Sequence, residues 1–421
     1  MSFPNASALA TLILLGALPG AGFAQSTSMS CMPGMAMPAA KPDTSQTKPA
    51  KTGDMDMSGM DMPMSDSSTW HIHSHTTLTL AGDNQDGPRG GDKTFVEGMT
   101  MIMASRNFDA NTDLELEAML SPDAFMGKSG YPLLLQTGET ADGVTPLRDR
   151  QHPHDLFMGL TAQLTHRFAN DTSVFVKAGY PGEFAFGPTA FMHRASGEAF
   201  PTAPISHHWL DSGHITFGVL TGGLQKGPLT LEVSQFTGRE PDQYRFDFDR
   251  IRLDSTAVRV TWQVTPSLKA QASWARQVSP EALEPDINLR KSSLSFEYAR
   301  DLGAFGSLNS TLAYGRKQVE HGNEKPSDAI LFENTWQVAP RWAALARFER
   351  VYNDELAASP YWVGKAEVGG MRTFAINDNT SVGVGIVRQF NQVPDALKPA
   401  YGSHPDGTVA FVTLKLHAMK M

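Results

Sequence analysis

The sequence predicts an all-β fold: an antiparallel transmembrane β-barrel of about 16 strands, with short periplasmic turns and long external loops, preceded by a disordered tail. Three observations predict it. Segments of about 9 to 12 residues alternate apolar and polar side chains, the period of a strand with one face in an apolar medium. Their connections alternate between tight turns and long polar loops, the asymmetry of transmembrane barrels. Past residue 25 no apolar run approaches the roughly 18 residues that a spanning helix needs, which excludes a helical membrane protein.

Residues 1–24 read as an export signal: the apolar stretch from Ala8 to Leu18 ends at Gly22-Phe23-Ala24, a small-x-small cleavage pattern before Gln25. The segment before that stretch carries no Lys or Arg. Cys31 is the only cysteine, so no internal disulfide forms and stability comes from strand pairing and burial. Residues 25–69 are rich in Met, Pro, Ser, Asp and Gly and almost free of aromatic and β-branched residues, too little apolar surface to offset chain entropy. They read as a disordered tail, and residues 70–421 as the barrel. The net charge of −9 gives no basic face for a nucleic-acid partner.

Within the barrel, Thr256, Val258, Val260, Trp262 and Val264 share one face and Ala257, Arg259, Thr261 and Gln263 the other. Leu268, Ala270, Ala272 and Trp274 repeat the pattern, as do Leu229, Leu231 and Val233, and Leu294, Phe296 and Tyr298. Tight turns fall at Ala169-Asn170-Asp171, Gln225-Lys226-Gly227, Thr265-Pro266, Ala339-Pro340 and Ile376-Asn377-Asp378. Long loops are expected at 82–93, 121–155, 181–213, 238–253, 278–290, 317–328, 352–361 and 390–407. Phe168, Trp262, Trp336, Trp342 and Phe374 flank the short turns, and Tyr180, Phe236, Trp274, Tyr314, Tyr352 and Trp362 sit toward the long loops, which predicts two aromatic girdles. The chain closes on Met421, where such barrels usually place an aromatic residue.

The tail holds Met29, Met32, Met35 and Met37, then Met55, Met57, Met60, Met62 and Met64, with Asp54, Asp56 and Asp61 interleaved. Thioether sulfur is soft and uncharged, so such clusters suit Cu(I) or Ag(I) in an oxidising compartment. The plainer reading is a linker that happens to be methionine-rich. Trp70-His71-Ile72-His73-Ser74-His75 follows, which on a strand puts His71, His73 and His75 on the lumen face near the periplasmic mouth. Imidazoles at that spacing hold Cu(II) or Zn(II), or stand there as ordinary polar lumen residues.

A second group lies in the two longest loops: His152 and His154 in one, His207, His208 and His214 in the other. If both loops fold inward, these residues converge, with His404 nearby and Phe191 and Trp209 around them, either as metal ligands or as braces in a hydrogen-bonded plug. The His-x-His-Asp string invites a zinc hydrolase, but no further His follows in the order such enzymes use. Met99, Met101 and Met103 share one strand face and are read as lipid-facing packing rather than as a ligand ladder, a choice that rests on the register between the first two strands.

The string Gly53-Asp54-Met55-Asp56-Met57-Ser58-Gly59-Met60-Asp61-Met62-Pro63-Met64 resembles the methionine-rich leader of the copper-resistance protein B family of outer-membrane barrels. The resemblance covers about a tenth of the chain and implies metal sequestration on the periplasmic side. The segments Asp149-Arg150-Gln151-His152-Pro153-His154-Asp155 and Ile205-Ser206-His207-His208-Trp209-Leu210-Asp211 are similar to a group of uncharacterised Gram-negative exported proteins, which implies no function. The expectation is a non-enzymatic outer-membrane barrel in contact with lipid, its tail in the periplasm, binding copper ions without an organic cofactor and exchanging them with periplasmic copper proteins. A passive channel with an incidental tail, and a metal-dependent enzyme built on the loops, are the alternatives.

Overall fold

A computed structural model describes residues 69–322 and 325–420. The export signal and the methionines from Met29 to Met64 lie outside the described residues.

Among the described residues eighteen strands form, and sixteen of them close a barrel. β1 (His71–Gln85), β2 (Gly91–Asn107) and β3 (Thr112–Leu120) lead, followed by an inserted hairpin of β4 (Tyr131–Thr140) and β5 (Pro146–Gln151) that pairs only with itself. The wall resumes with β6 (Phe157–Phe168), β7 (Thr172–Gly179), β8 (Val219–Lys226), β9 (Leu229–Phe236), β10 (Ser255–Thr265), β11 (Leu268–Val278) and β12 (Asn288–Asp301). It continues with β13 (Ser307–Val319), β14 (Ser327–Ala339), β15 (Trp342–Asn353), β16 (Tyr361–Asn377), β17 (Thr380–Gln392) and β18 (Asp406–Lys420). All pairings are antiparallel, β3 pairs with β6 across the insertion, and β18 returns to β1, so the described barrel strands close on themselves and each has a neighbour on both sides.

Turn chemistry fixes the short rim. Asn170 and Asp171 both take positive φ, 64° and 51°, in the three-residue turn that joins Phe168 to its pairing partner Thr172. The expected long loops form, except that β1 and β2 run on to leave only a short turn between Gln85 and Gly91. Val176, Leu231, Val260, Leu294 and Ile330 stand exposed on the outer face, a surface that suits hydrocarbon. Trp262, Trp336 and Trp342 ring the short-turn side and Trp274 and Trp362 the other. Phe236 departs from the predicted girdle: it points into the lumen, stacked on Phe184 with ring centroids 3.7 Å apart.

The lumen is filled. The 180–218 connection crosses it and touches the wall strand after strand: Ala185 N–H donates to Ser234 of β9, Gly187 N–H to Ser273 of β11, and Thr189 to Glu297 of β12. Arg194 reaches Glu333 of β14, Ser206 reaches Glu349 of β15, and Thr202 reaches Glu367 of β16. The β4–β5 hairpin packs beside it, Leu134 and Leu135 against Ile205, Trp209, Leu331 and Val351. As a result the wall charges Glu333, Arg347 and Glu367 are each 0% exposed, where an open water-filled pore would wet them. Hydrogen-bonded ion pairs make that burial tolerable: Glu333 lies 2.9 Å from Arg194 and 2.7 Å from Arg347, and Arg347 lies 2.8 Å from Glu367.

Candidate metal centre in the lumen

The two histidine-bearing loops meet inside the barrel. His152 and His154 follow β5, and His207, His208 and His214 end the lumen-crossing connection. These five histidines, with Glu139, Glu240 and Arg245, line a cavity of about 20 Å³, room for one water or one ion. Ring centroids of His154 and His214, and of His207 and His214, are 5.2 Å apart; His207 and His208 are 5.4 Å apart, and His152 and His208 5.5 Å.

Three rings are held through Nδ1. His154 Nδ1 lies 2.9 Å from the Asp123 carboxylate, His207 Nδ1 2.6 Å from the Asp211 carboxylate, and His214 Nδ1 2.8 Å from the Asp211 carbonyl oxygen. A carbonyl only accepts, so His214 carries its proton on Nδ1 and presents a bare lone pair at Nε2. That Nε2 faces His154 Nε2 at 3.3 Å. Two imidazoles bound tetrahedrally to one ion, each about 2.0 Å from it, stand about 3.3 Å apart. Ring orientation by a carboxylate or carbonyl on the far nitrogen is the usual support of metal-binding histidine.

The other two rings are held less fully. His152 Nε2 lies 3.2 Å from Glu139, which also pairs with Arg245, while His208 Nδ1 is 3.9 Å from Glu240 and His208 Nε2 is buried without a hydrogen-bond partner. Burial holds His152, His208 and His214 well below the usual imidazole pKa, so all three are neutral at pH 7, the form that binds metals. Burial also pushes the Asp155 carboxyl up to about 7. Backbone shape adapts to the cluster: Gly138 takes φ of +116°, and a Cβ there would come within 2.6 Å of the His208 ring.

Several sequence expectations land elsewhere. Phe191 does pack on His207 and His214, with centroids 5.2 and 6.3 Å away. Trp209 instead donates its indole N–H to Ser327 and lies under Lys317, and His404 is exposed and does not line the cavity. Asp123 and Glu139, which pair with His154 and His152, carry no signal in the sequence because only the folding of the β3–β6 insertion brings them against the rings. The β1 ladder faces the lumen as expected, His73 opposite Met103 and His75 opposite Met101. Met99, Met101 and Met103 are therefore inside, each 4–5% exposed, and the lipid-facing reading is wrong; the lipid face of β2 is carried by Val96 and Ile102. His417, unremarked in the sequence, sits across β1 from His75.

Among solved structures, OmpF of Salmonella typhi in complex with daunomycin aligns over 82% of this chain and 97% of its own, at 9% identity and a TM-score of 0.53. The fold is that of a porin-type barrel. An anion-selective porin from Comamonas acidovorans matches over 84% of this chain and 99% of its own, at 11% identity and a TM-score of 0.51. No family model and no curated protein matches the chain. At these identities the likeness establishes architecture alone.

Proposed function

We propose that this chain is an outer-membrane barrel that binds copper, as Cu(I), Cu(II) or the analogous Ag(I), and contributes to copper resistance by sequestration or efflux. The observation that carries the reading is the facing pair of His154 Nε2 and His214 Nε2 at 3.3 Å, each ring braced through its other nitrogen, at a cavity sized for an ion. Imidazole donors in a buried, carboxylate-supported setting suit Cu(II) or Zn(II), and the thioethers of residues 29–64 add a soft donor set for Cu(I). The filled lumen argues against free diffusion of large solutes and for a barrel that holds what enters it.

The test is tolerance and binding together. Expressed in a copper-sensitive Gram-negative host, the full chain raises the copper concentration at which growth stops, and His154→Ala/His214→Ala removes part of that gain along with one Cu(II) equivalent from the purified protein. Correct localisation with no gain in tolerance, and no copper held beyond that of an unrelated barrel, sinks the reading. In that case a large copper-independent conductance in planar bilayers would mark a passive channel instead.

A further inference from the structure

The lumen wall carries a second set of donors, far along the chain from the histidine loops. Antiparallel pairing sets His73 of β1 opposite Met103 of β2, and His75 opposite Met101 on one side and His417 of β18 on the other. Directly paired residues share a face. Imidazole and thioether therefore alternate on one patch of wall at the short-turn rim. His73 Nε2 lies 3.2 Å from Met103 Sδ, and His75 Nδ1 lies 3.0 Å from His417 Nδ1.

These contacts have the spacing of ligands to a shared ion. A nitrogen about 2.0 Å and a sulfur about 2.3 Å from one tetrahedral centre stand about 3.5 Å apart, within a few tenths of an ångström of the His73–Met103 separation. The chemistry is also unusual for the place. Met101 and Met103 each stand opposite an imidazole across the β1–β2 pairing, and a thioether is a poor hydrogen-bond acceptor for an imidazole. Just above the patch, Lys415, which pairs with Thr77, bridges to Glu198 of the lumen-crossing connection at 3.1 Å. The patch thus lies between that bridge and the rim. His417 is exposed, so the patch opens toward the short-turn side.

We infer that His73 and Met103, with Met101 and the His75–His417 pair as the adjacent step, form a binding site for a soft monovalent cation of the Cu(I) or Ag(I) class at the short-turn mouth of the barrel. Mixed thioether and imidazole donors favour such ions over Zn(II) and over hard divalent cations. The choice of cation rests on the copper reading above; the site's geometry stands apart from it. Met64 is seven residues before His71 in the chain, so whatever the methionine-rich segment holds is covalently tethered beside this mouth.

The experiment is methionine-methyl NMR of the full chain in lipid nanodiscs, with ¹³C-methyl labels assigned by Met→Leu variants and Ag(I) as a redox-inert probe. The Met101 and Met103 signals shift as Ag(I) is added, and His73→Gln weakens that response roughly tenfold or more while the barrel keeps its folded gel mobility. Met101 and Met103 signals that stay still at saturating Ag(I) overturn the site, and if the tail methionines shift in the same titration the copper reading survives that loss. Shifts confined to Met101 and Met103, with His154→Ala/His214→Ala removing no copper, uphold the site and leave the histidine-loop reading to fall alone. Shifts that His73→Gln and His417→Gln both leave unchanged also overturn it, because the thioethers would then bind without the imidazoles.

Discussion

His154 and His214 face each other through their Nε2 atoms at 3.3 Å while Asp123 holds the first ring from behind and the Asp211 carbonyl holds the second. With each Nδ1–H given to its oxygen partner, the two Nε2 atoms point at one another, an arrangement that a shared cation or a single proton relieves. Asp123→Asn separates the two. The amide places an N–H against His154 Nδ1, which reverses that ring's tautomer and lets its Nε2–H donate to His214. Metal affinity is expected to fall about 10- to 100-fold while thermal stability stays close to wild type. Isothermal titration with Cu(II) beside a melting curve checks it, and unchanged affinity would remove His154 from the ligand set.

Gly138 supports His208 by having no side chain. Its φ of +116° disfavours any L residue, and a Cβ would sit 2.6 Å from the imidazole. Gly138→Ala is expected to displace His208 and to cost roughly 1–3 kcal/mol locally. Hydrogen exchange should accelerate in the β4–β5 hairpin while the wall strands keep their protection; equal protection in both would show the ring is free to move away at no cost.

The lumen-crossing connection is fastened by charge. Glu333 is shared between Arg194 of that connection and Arg347 of the wall, all three essentially without solvent contact. Removing one arginine leaves a buried carboxylate half-compensated, at a cost of about 3–5 kcal/mol. Arg194→Met is expected to loosen the connection without unfolding the wall, which has its own backbone ladder. Single-channel recordings should then show larger and noisier conductance than wild type. If conductance is unchanged, the filling of the lumen does not depend on this pair.

The wall was legible in the sequence because a strand in lipid must alternate, and Val258, Val260 and Trp262 against Ala257 and Arg259 state the register directly. The interior was not, for a physical reason: inside, loops and wall both mix polar and apolar side chains, so periodicity no longer separates one surface from another. Met101 illustrates it. On a strand flanked by lipid an apolar side chain reads as outward, and only the pairing with His75 reveals that it faces in. Phe236 misleads in the same way, its partner Phe184 lying in a loop with no periodicity. The histidines could be listed from the sequence, yet their orienting carboxylates Asp123 and Glu139 could not.

Acid should loosen this interior, and His214 gives the sign. Burial, reinforced by neighbouring His154 and His207, holds its folded pKa well below the unfolded value near 6.5, against the pull of Asp211. A group whose folded pKa is depressed binds protons only in the unfolded state between the two values. Its contribution is fully present above about pH 6.5 and is lost as pH falls below that. Asp155, raised to about 7, acts oppositely between about pH 4 and 7, favouring the folded state as it takes up its proton. Comparing wild type with His214→Gln cancels the Asp155 effect. Below pH 6.5 the variant's stability is expected to fall less steeply with acid, by up to about 1.4 kcal/mol per pH unit. Hydrogen exchange of the 180–218 connection at pH 5 and 7.5 reads this out, and parallel pH profiles for the two proteins would mean that His214 titrates alike in the folded and unfolded chains, so that burial does not hold it neutral.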